Sequence, residues 1–370
     1  MRVAPEILSL RPYQPGKPIS ETKRELGLST VVKLASNESP LGPSPRVVEA
    51  LRQALPEIHR YPDGSCFEMR HALSQHFGVP GDQLVFGNGS DELVDILVQI
   101  YCEPGDGVLT SKGAFSAYSI SAQSVRARTV QTELTADSRF DLKAMALKLE
   151  EDPLIRLVFL PNPNNPTGTY FTSSEFESFM RVAGAKDIFV VMDEAYVEFV
   201  RAKDYPNGME FRKRYSNLLL LRTMSKVHGL AGLRIGVLIA PVEVCGLMNR
   251  IRKPFNVNSL AQVAVVAALQ DHEYVKRLCQ ITWEGLDYFY RSLDELGLSY
   301  LPSQGNFVLF NTSRNGEEFF QALLRKGIIL RPVTSYGFPQ YLRMSVGLPE
   351  ENRAAIAAIR EVLATPGGKA

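Results

Sequence analysis

Several short runs in this 370-residue chain bring together side chains able to do chemistry. Lys226 lies in Thr223-Met224-Ser225-Lys226-Val227-His228-Gly229-Leu230-Ala231-Gly232-Leu233-Arg234-Ile235-Gly236. Ser225 and Arg234 flank it, and an arginine fork matches phosphate oxygens two at a time, which a lysine cannot do. Upstream, Asp193 ends the apolar run Ile188-Phe189-Val190-Val191-Met192 and begins Asp193-Glu194-Ala195-Tyr196. A carboxylate buried at a strand end needs a partner, because its ionised form is costly in an apolar setting. A protonated ring nitrogen would serve, as would a local arginine or backbone N–H groups. Tyr196 could reach a phenolic oxygen on the same ring. A lysine between a serine and an arginine, downstream of such a carboxylate, suits a covalently held aldehyde cofactor with a phosphate tail.

Three further runs carry polar groups to strand ends. Gly87-Asn88-Gly89-Ser90-Asp91-Glu92 joins a predicted strand to a helix whose Leu93, Ile96, Leu97 and Ile100 share one face. Strand, glycine turn and helix N-terminus together form an anion site from free backbone N–H groups, with Ser90 expected as the N-cap. A plain capped helix would explain the run equally well. Pro161-Asn162-Pro163-Asn164-Asn165-Pro166-Thr167-Gly168 holds more proline and asparagine than a turn needs, and Asn165 could donate its amide to a ring oxygen. Arg343, in Tyr341-Leu342-Arg343-Met344-Ser345-Val346-Gly347, sits inside an apolar strand, where a substrate carboxylate or phosphate, or a structural salt bridge, must meet it. Arg331 has the same two readings.

The elements that must position these residues follow from periodicity. Leu84–Phe86, Gly107–Thr110, Arg126–Val130, Arg156–Leu160, Ile188–Met192, Leu218–Leu221 and Ile235–Ala240 are short β-type runs, mostly continuously apolar, as in strands covered on both faces. Helical stretches such as Leu93–Tyr101, Leu142–Glu151 and Ser174–Ala185 fall between them. The class is therefore α/β, with a mostly parallel seven-stranded sheet and helices on both faces. Leu221 to Ile235 leaves too little chain for a crossover helix, so the Ile235–Ala240 strand should run antiparallel. After Pro254, Ala261–Leu269, Glu273–Leu296, Glu317–Lys326 and Glu350–Leu363 read as helices, and Phe307–Phe310, Ile328–Leu330 and Leu342–Val346 as strands. The expected division is an extended, proline-rich arm over 1–45, a large cofactor-binding domain over 46–255 and a small α/β domain over 256–370.

Bulk composition excludes several classes. Apolar content of 45% and charged content of 22% describe a globular enzyme, and a formal net charge of +1 with dispersed basic residues gives no reason to expect nucleic acid. No apolar run approaches the roughly 20 residues of a membrane helix. No secretory signal is evident. The four cysteines are widely spaced and form no CxxC pair, so a reduced cytoplasmic chain is expected. Five scattered histidines lack metal-ligand spacing, and no metal is expected.

Taken together, the runs resemble the fold-type-I pyridoxal-phosphate aminotransferases, and within them the branch that acts on histidinol phosphate. The resemblance includes Arg11-Pro12-Tyr13, Asn37-Glu38-Ser39-Pro40 and Arg60-Tyr61-Pro62-Asp63-Gly64 besides the runs above. It implies that Lys226 binds pyridoxal 5'-phosphate covalently, that Asp193 pairs with the pyridinium nitrogen, and that Asn165 and Tyr196 contact the ring hydroxyl. Ser90, Asp91, Ser225 and Arg234 would hold the phosphate. Phe115 takes the place of a stacking aromatic that is often tyrosine. Tyr61 would reach the neighbouring subunit's cofactor, implying a homodimer with shared sites, and Tyr13, Asn37, Arg331 and Arg343 would line the substrate pocket. The implied reaction passes an amino group from histidinol phosphate to a 2-oxo acid, 2-oxoglutarate, in histidine biosynthesis. Rival readings are an aromatic amino-acid or prephenate aminotransferase, a pyridoxal-phosphate decarboxylase of a phosphorylated amino acid, and a non-catalytic sensor.

Overall fold

The computed structural model describes residues 3–10 and 16–365. Thirteen strands occur among them. The short β1 (Val32–Lys33) precedes the seven strands of the main sheet: β2 (Leu84–Gly87), β3 (Gly107–Ser111), β4 (Arg128–Thr132), β5 (Ile155–Pro161), β6 (Phe189–Asp193), β7 (Leu218–Thr223) and β8 (Gly236–Ile239). Their order across the sheet is β2-β8-β7-β6-β5-β3-β4. The pairs among β3 to β7 are parallel, and β8 is antiparallel to both its neighbours, β2 and β7, as the short Leu221–Ile235 interval requires. Leu157–Leu160 on β5, Val190–Met192 on β6 and Leu218–Leu221 on β7 are almost wholly shielded from water, which is why these strands are unbroken apolar runs rather than alternating ones.

Helices cover both faces and begin where the local chemistry starts them. Ser173–Ala183 opens with a reciprocal capping box between Thr172 and Glu175. Leu142–Glu151 is capped by Asp141, whose side chain accepts from the N–H of Ala144. Such caps satisfy donors that a helix start would otherwise leave unmade.

A second sheet packs at the C-terminal end of the chain. Its strands are β9 (Tyr300–Leu301), β10 (Phe307–Asn311), β12 (Arg331–Val333) and β13 (Phe338–Ser345), in the order β12-β13-β10-β9, and β11 (Ile328–Ile329) pairs in parallel with β1. Leu34 and Ala35 join the core of this smaller unit with Val308, Phe310, Leu342 and Met344. The helix Ser259–Leu269 instead puts Ala261, Ala264 and Val265 into the core of the main sheet. We therefore propose that the large unit extends to Leu269, beyond the boundary at 255 expected above.

The first residues are not wholly extended, contrary to expectation. Helices form over Pro5–Ser9 and Ile19–Leu26. Pro5 stands in the first turn of one and Pro18 directly precedes the other, places where a missing N–H removes no helical bond, so proline here starts turns rather than barring them. Among the described residues no helix is long and apolar enough to cross a membrane, and no group of three or more His, Cys, Asp or Glu is placed to hold a metal. All four cysteines are buried and unpaired with one another.

Candidate active site

The carboxyl ends of the parallel strands open into a cleft of about 480 Å³. Each strand delivers its own group there: Ser90 and Asp91 follow β2, Phe115 follows β3, Asn165 follows β5, Asp193 ends β6, and Ser225 and Lys226 follow β7. The reversal of β8 brings Arg234 to the same edge. Gly236 at the start of β8 is paired with Gly87 at the end of β2 and with Thr223 at the end of β7, so the residues just before it arrive beside the phosphate-type donors. From the smaller unit, Asn37, Arg331 and Arg343 close the other side. Of the candidate site residues among the described ones, only Tyr61 is not part of the cleft lining. Tyr61 is 84% exposed and stacks on Phe255, with ring centroids 4.9 Å apart. Tyr13 lies outside the described residues.

Beside the start of the helix Ser90–Tyr101, Arg234 Nη2 sits 3.1 Å from Asp91 Oδ2. Asp91 thus grips the arginine rather than an anion directly, since a carboxylate has no donor to give a phosphate. Ser90 is not the N-cap expected above. Gly89 takes that position with φ 85°, and Ser90 is the first helical residue of Ser90–Tyr101. The reason is steric: a Cβ on Gly89 would lie 2.3 Å from Arg234 Nη2 and one on Gly236 2.5 Å from the Ser90 nitrogen. Both glycines let backbone and guanidinium draw close around one small volume. Gly89→Ala is accordingly expected to destabilise the protein by about 1–3 kcal/mol through its left-handed backbone alone, read as a lower urea midpoint. An unchanged midpoint would mean that the turn relaxes freely.

Asp193 is the electrostatic centre of the cleft. It is 7% exposed, and burial raises its pKa to about 6 despite hydrogen bonds that favour the ionised form. Those bonds come from Tyr118 Oη to Oδ2 at 2.7 Å and from the Ala195 N–H to Oδ1 at 3.1 Å. Tyr118 escaped the sequence reading. It is fully buried and stacks on Phe159, with ring centroids 4.7 Å apart, and only the rule that a buried phenol needs a hydrogen-bond partner could have flagged it. The neighbouring Glu194 is held by Arg222, Nε to Oε2 at 2.8 Å, so of the two acids only Asp193 belongs to the cleft.

Lys226 is half-buried, its Nζ 3.5 Å from the Ser36 carbonyl oxygen and 5.7 Å from the centroid of the Tyr196 ring. Tyr196 Oη accepts from Asn37 Nδ2 at 2.9 Å. Arg343 donates to Asn165 Oδ1 and to the Ala35 carbonyl, which leaves the Asn165 amide nitrogen as that residue's donor. Phe115 packs edge-on against Tyr118, with centroids 6.0 Å apart. His228 is buried, and burial lowers its pKa to about 4, so it is a neutral core side chain near pH 7 rather than a base beside Lys226.

These groups fit pyridoxal phosphate on their own chemistry. Arg234, two hydroxyls and a helix N-terminus match a phosphate dianion. A buried carboxylate whose burial opposes ionisation gains from a cationic ring nitrogen, an amine matches an aldehyde, and a phenol and an amide match a ring hydroxyl. Relatives agree. The model of the family "Aminotransferase class I and II" matches residues 29–359. Histidinol-phosphate aminotransferase of Bdellovibrio bacteriovorus is 56% identical over 366 residues, spanning 98% of either chain. The Moorella thermoacetica enzyme of the same name is 44% identical over 97% of this chain and 92% of its own. The crystal structure of histidinol-phosphate aminotransferase from Sinorhizobium meliloti in complex with pyridoxal-5'-phosphate superposes with a TM-score of 0.87 at 27% identity, over 98% of this chain and 97% of the other. The family model over residues 29–359 and the relatives' identities, in a chain whose lysine, buried carboxylate and arginine meet at the strand ends of this sheet, make the protein a member of the class I and II aminotransferase family.

Proposed function

We propose that this aminotransferase uses pyridoxal phosphate to move the amino group of histidinol phosphate to 2-oxoglutarate, giving imidazole acetol phosphate and glutamate. The single observation that carries the substrate reading is the pairing of Arg331 with Arg343. They are direct cross-strand partners on β12 and β13, and both line the cleft. Two guanidinium groups on one wall of the cleft offer planar, paired donors to an anion. A phosphate on the amino donor and a carboxylate on the acceptor can each use them in turn. The names of the relatives above support the same donor.

Bound pyridoxal phosphate supplies an aldehyde carbon to take the amino group and a ring to draw off the electron pair left when the Cα proton departs. The chain's residues do the rest. Arg234, Ser90 and Ser225 anchor the phosphate, with Asp91 orienting the arginine. The Asp193 carboxylate holds a proton on the ring nitrogen, and Tyr118 holds Asp193. Asn165 and Tyr196 would donate toward the ring hydroxyl oxygen, and Phe115 would supply an aromatic surface for the ring. Lys226 would hold the aldehyde end of the cofactor, and its Nζ would serve as the base that takes up the substrate's Cα proton. Arg343 and Arg331 fix the substrate's anionic end, with Asn37 beside them.

Tyr61 is proposed to act in a neighbouring subunit of a homodimer. Its exposure, with that of Leu55, Ile58, Phe67 and Phe255 nearby in sequence or contact, supports a covered face. The buried thiols suit a reducing cytoplasm.

A panel of donors with 2-oxoglutarate as acceptor tests the substrate reading. Histidinol phosphate is expected to exceed phenylalanine and tyrosine in kcat/KM by roughly tenfold to a hundredfold, because its phosphate offers both arginines a doubly charged acceptor where an amino-acid carboxylate offers a single charge. Preference for the aromatic donors would move the protein to that specificity, and released carbon dioxide would replace transamination by decarboxylation.

A further inference from the structure

Asn37 joins three segments of the chain inside the cleft. It is 1% exposed and its backbone is left-handed, with φ 53°. Its N–H donates to Ser345 Oγ at 2.9 Å, its Oδ1 lies 2.8 Å from the same oxygen, and its Nδ2 donates to Tyr196 Oη at 2.9 Å. Its carbonyl accepts from Asn306 Nδ2 at 3.2 Å. The arm, β13 and the turn after β6 are thereby connected through one amide.

The directions of the protons follow from these contacts. Ser345 is 3% exposed, and among the described residues Asn37 Oδ1 is the hydrogen-bond acceptor within reach of its hydroxyl proton. That proton therefore goes to Oδ1, which turns Nδ2 toward Tyr196. The opposite amide orientation would strand a buried hydroxyl proton. An amide nitrogen only donates, so Tyr196 Oη must accept from it. The phenol's own proton then points away from Asn37, into the cleft that Tyr196 lines.

We propose that Asn37 and Ser345 are positioning residues whose hydrogen bonds aim the Tyr196 proton at the ring hydroxyl oxygen of the cofactor. Ser345 and Arg343 stand two residues apart on the same face of β13, so the strand that carries the substrate-binding arginine also sets the phenol. The proposal rests on the pyridoxal-phosphate reading above. It gives Asn37 a part in the chemistry exerted through Tyr196, not through direct contact with substrate. A donor on the ring oxygen makes that oxygen a weaker acceptor for the proton carried by Lys226 Nζ. Holding the phenol proton there lowers the pH at which the lysine-bound chromophore titrates.

The test is a pair of double-mutant cycles on the holoenzyme. Asn37→Gly, which tolerates the left-handed backbone, and Ser345→Ala are each made in the wild-type and Tyr196→Phe backgrounds. Alone, each should lower kcat by roughly tenfold with little change in KM, the scale of one hydrogen bond. Each should also raise the pH midpoint of the visible band by about half a unit to one unit. In the Tyr196→Phe background, neither should change kcat by more than about twofold or move the midpoint further. Equal losses in both backgrounds, or a midpoint unmoved in the single variants, would overturn the inference alone. A wild type that forms no visible band with pyridoxal phosphate would overturn the cofactor reading and the inference with it.

Discussion

Lys226→Ala is expected to abolish turnover, by at least about 10⁴-fold, and to remove the visible absorbance of the protein reconstituted with pyridoxal phosphate. Two proposed functions leave together: the amine that carries the cofactor and the base that takes up the Cα proton. The side chain is half-buried in an open cleft, with Nζ 3.5 Å from the Ser36 carbonyl oxygen and 5.7 Å from the Tyr196 ring centroid. Its truncation therefore leaves no closed cavity in the core, and the far-UV circular dichroism should match wild type. The groups proposed to anchor the phosphate, Arg234, Ser90 and Ser225, remain, so the cofactor should still bind, more weakly and without a covalent bond. Turnover retained without any added amine would show that another group carries the chemistry.

Asp193→Asn should separate catalysis from stability, with opposite signs. Catalysis should fall by on the order of 10²–10³ in the single-turnover rate, because a neutral amide no longer holds a proton on the ring nitrogen where negative charge develops. Near-wild-type single-turnover kinetics would contradict the role given to Asp193. The apoprotein should behave the other way. Burial raises the Asp193 pKa from an ordinary 3.8 to about 6 in the folded state. The folded protein thus holds a proton that the unfolded chain has lost. This contribution to stability is complete below pH 3.8 and disappears as the pH rises through 6. An asparagine does not titrate. Relative to wild type, the Asp193→Asn apoprotein should gain stability between pH 4 and pH 7, by up to about 3 kcal/mol. Urea melts at the two ends of that range measure the gain, and a difference that does not change with pH would sink it. The strained carboxylate would then be a cost that the bound cation relieves.

Much of the cleft was legible because its groups sit at strand ends, and strand ends show in a sequence. Asn165, Asp193, Lys226 and Ser90 each follow an apolar run, and a parallel sheet sends every such end to one edge. The antiparallel β8 was readable from chain length alone, since no crossover fits between Leu221 and Ile235. Arg343 was visible as a charge within an apolar strand. Other parts were not legible. Tyr118 lies in a helix of mixed composition, and its partner Asp193 is 75 residues away. Gly89, not Ser90, begins its helix because Arg234, distant in sequence, occupies the space a Cβ would need. The arm forms helices where prolines suggested extension, because proline bars a helix interior but not its first turn.

What the sequence by itself determined is the inventory and its order: one lysine, one strand-end carboxylate, a glycine turn before a helix, and arginines within or beside the later strands. Periodicity, turn chemistry and the cost of buried charge are local or solvent-referenced properties, and they need no coordinates. Only the tertiary structure decided how these groups act on one another. Asn37 came from the sequence as a pocket residue, yet its backbone and side chain are committed to Ser345 and Tyr196, respectively 308 and 159 positions along the chain. Hydrogen-bond direction depends on which donor meets which acceptor within about 3 Å. That pairing is set by the packing of β13 and the arm against the main sheet, and no property of the separate segments contains it.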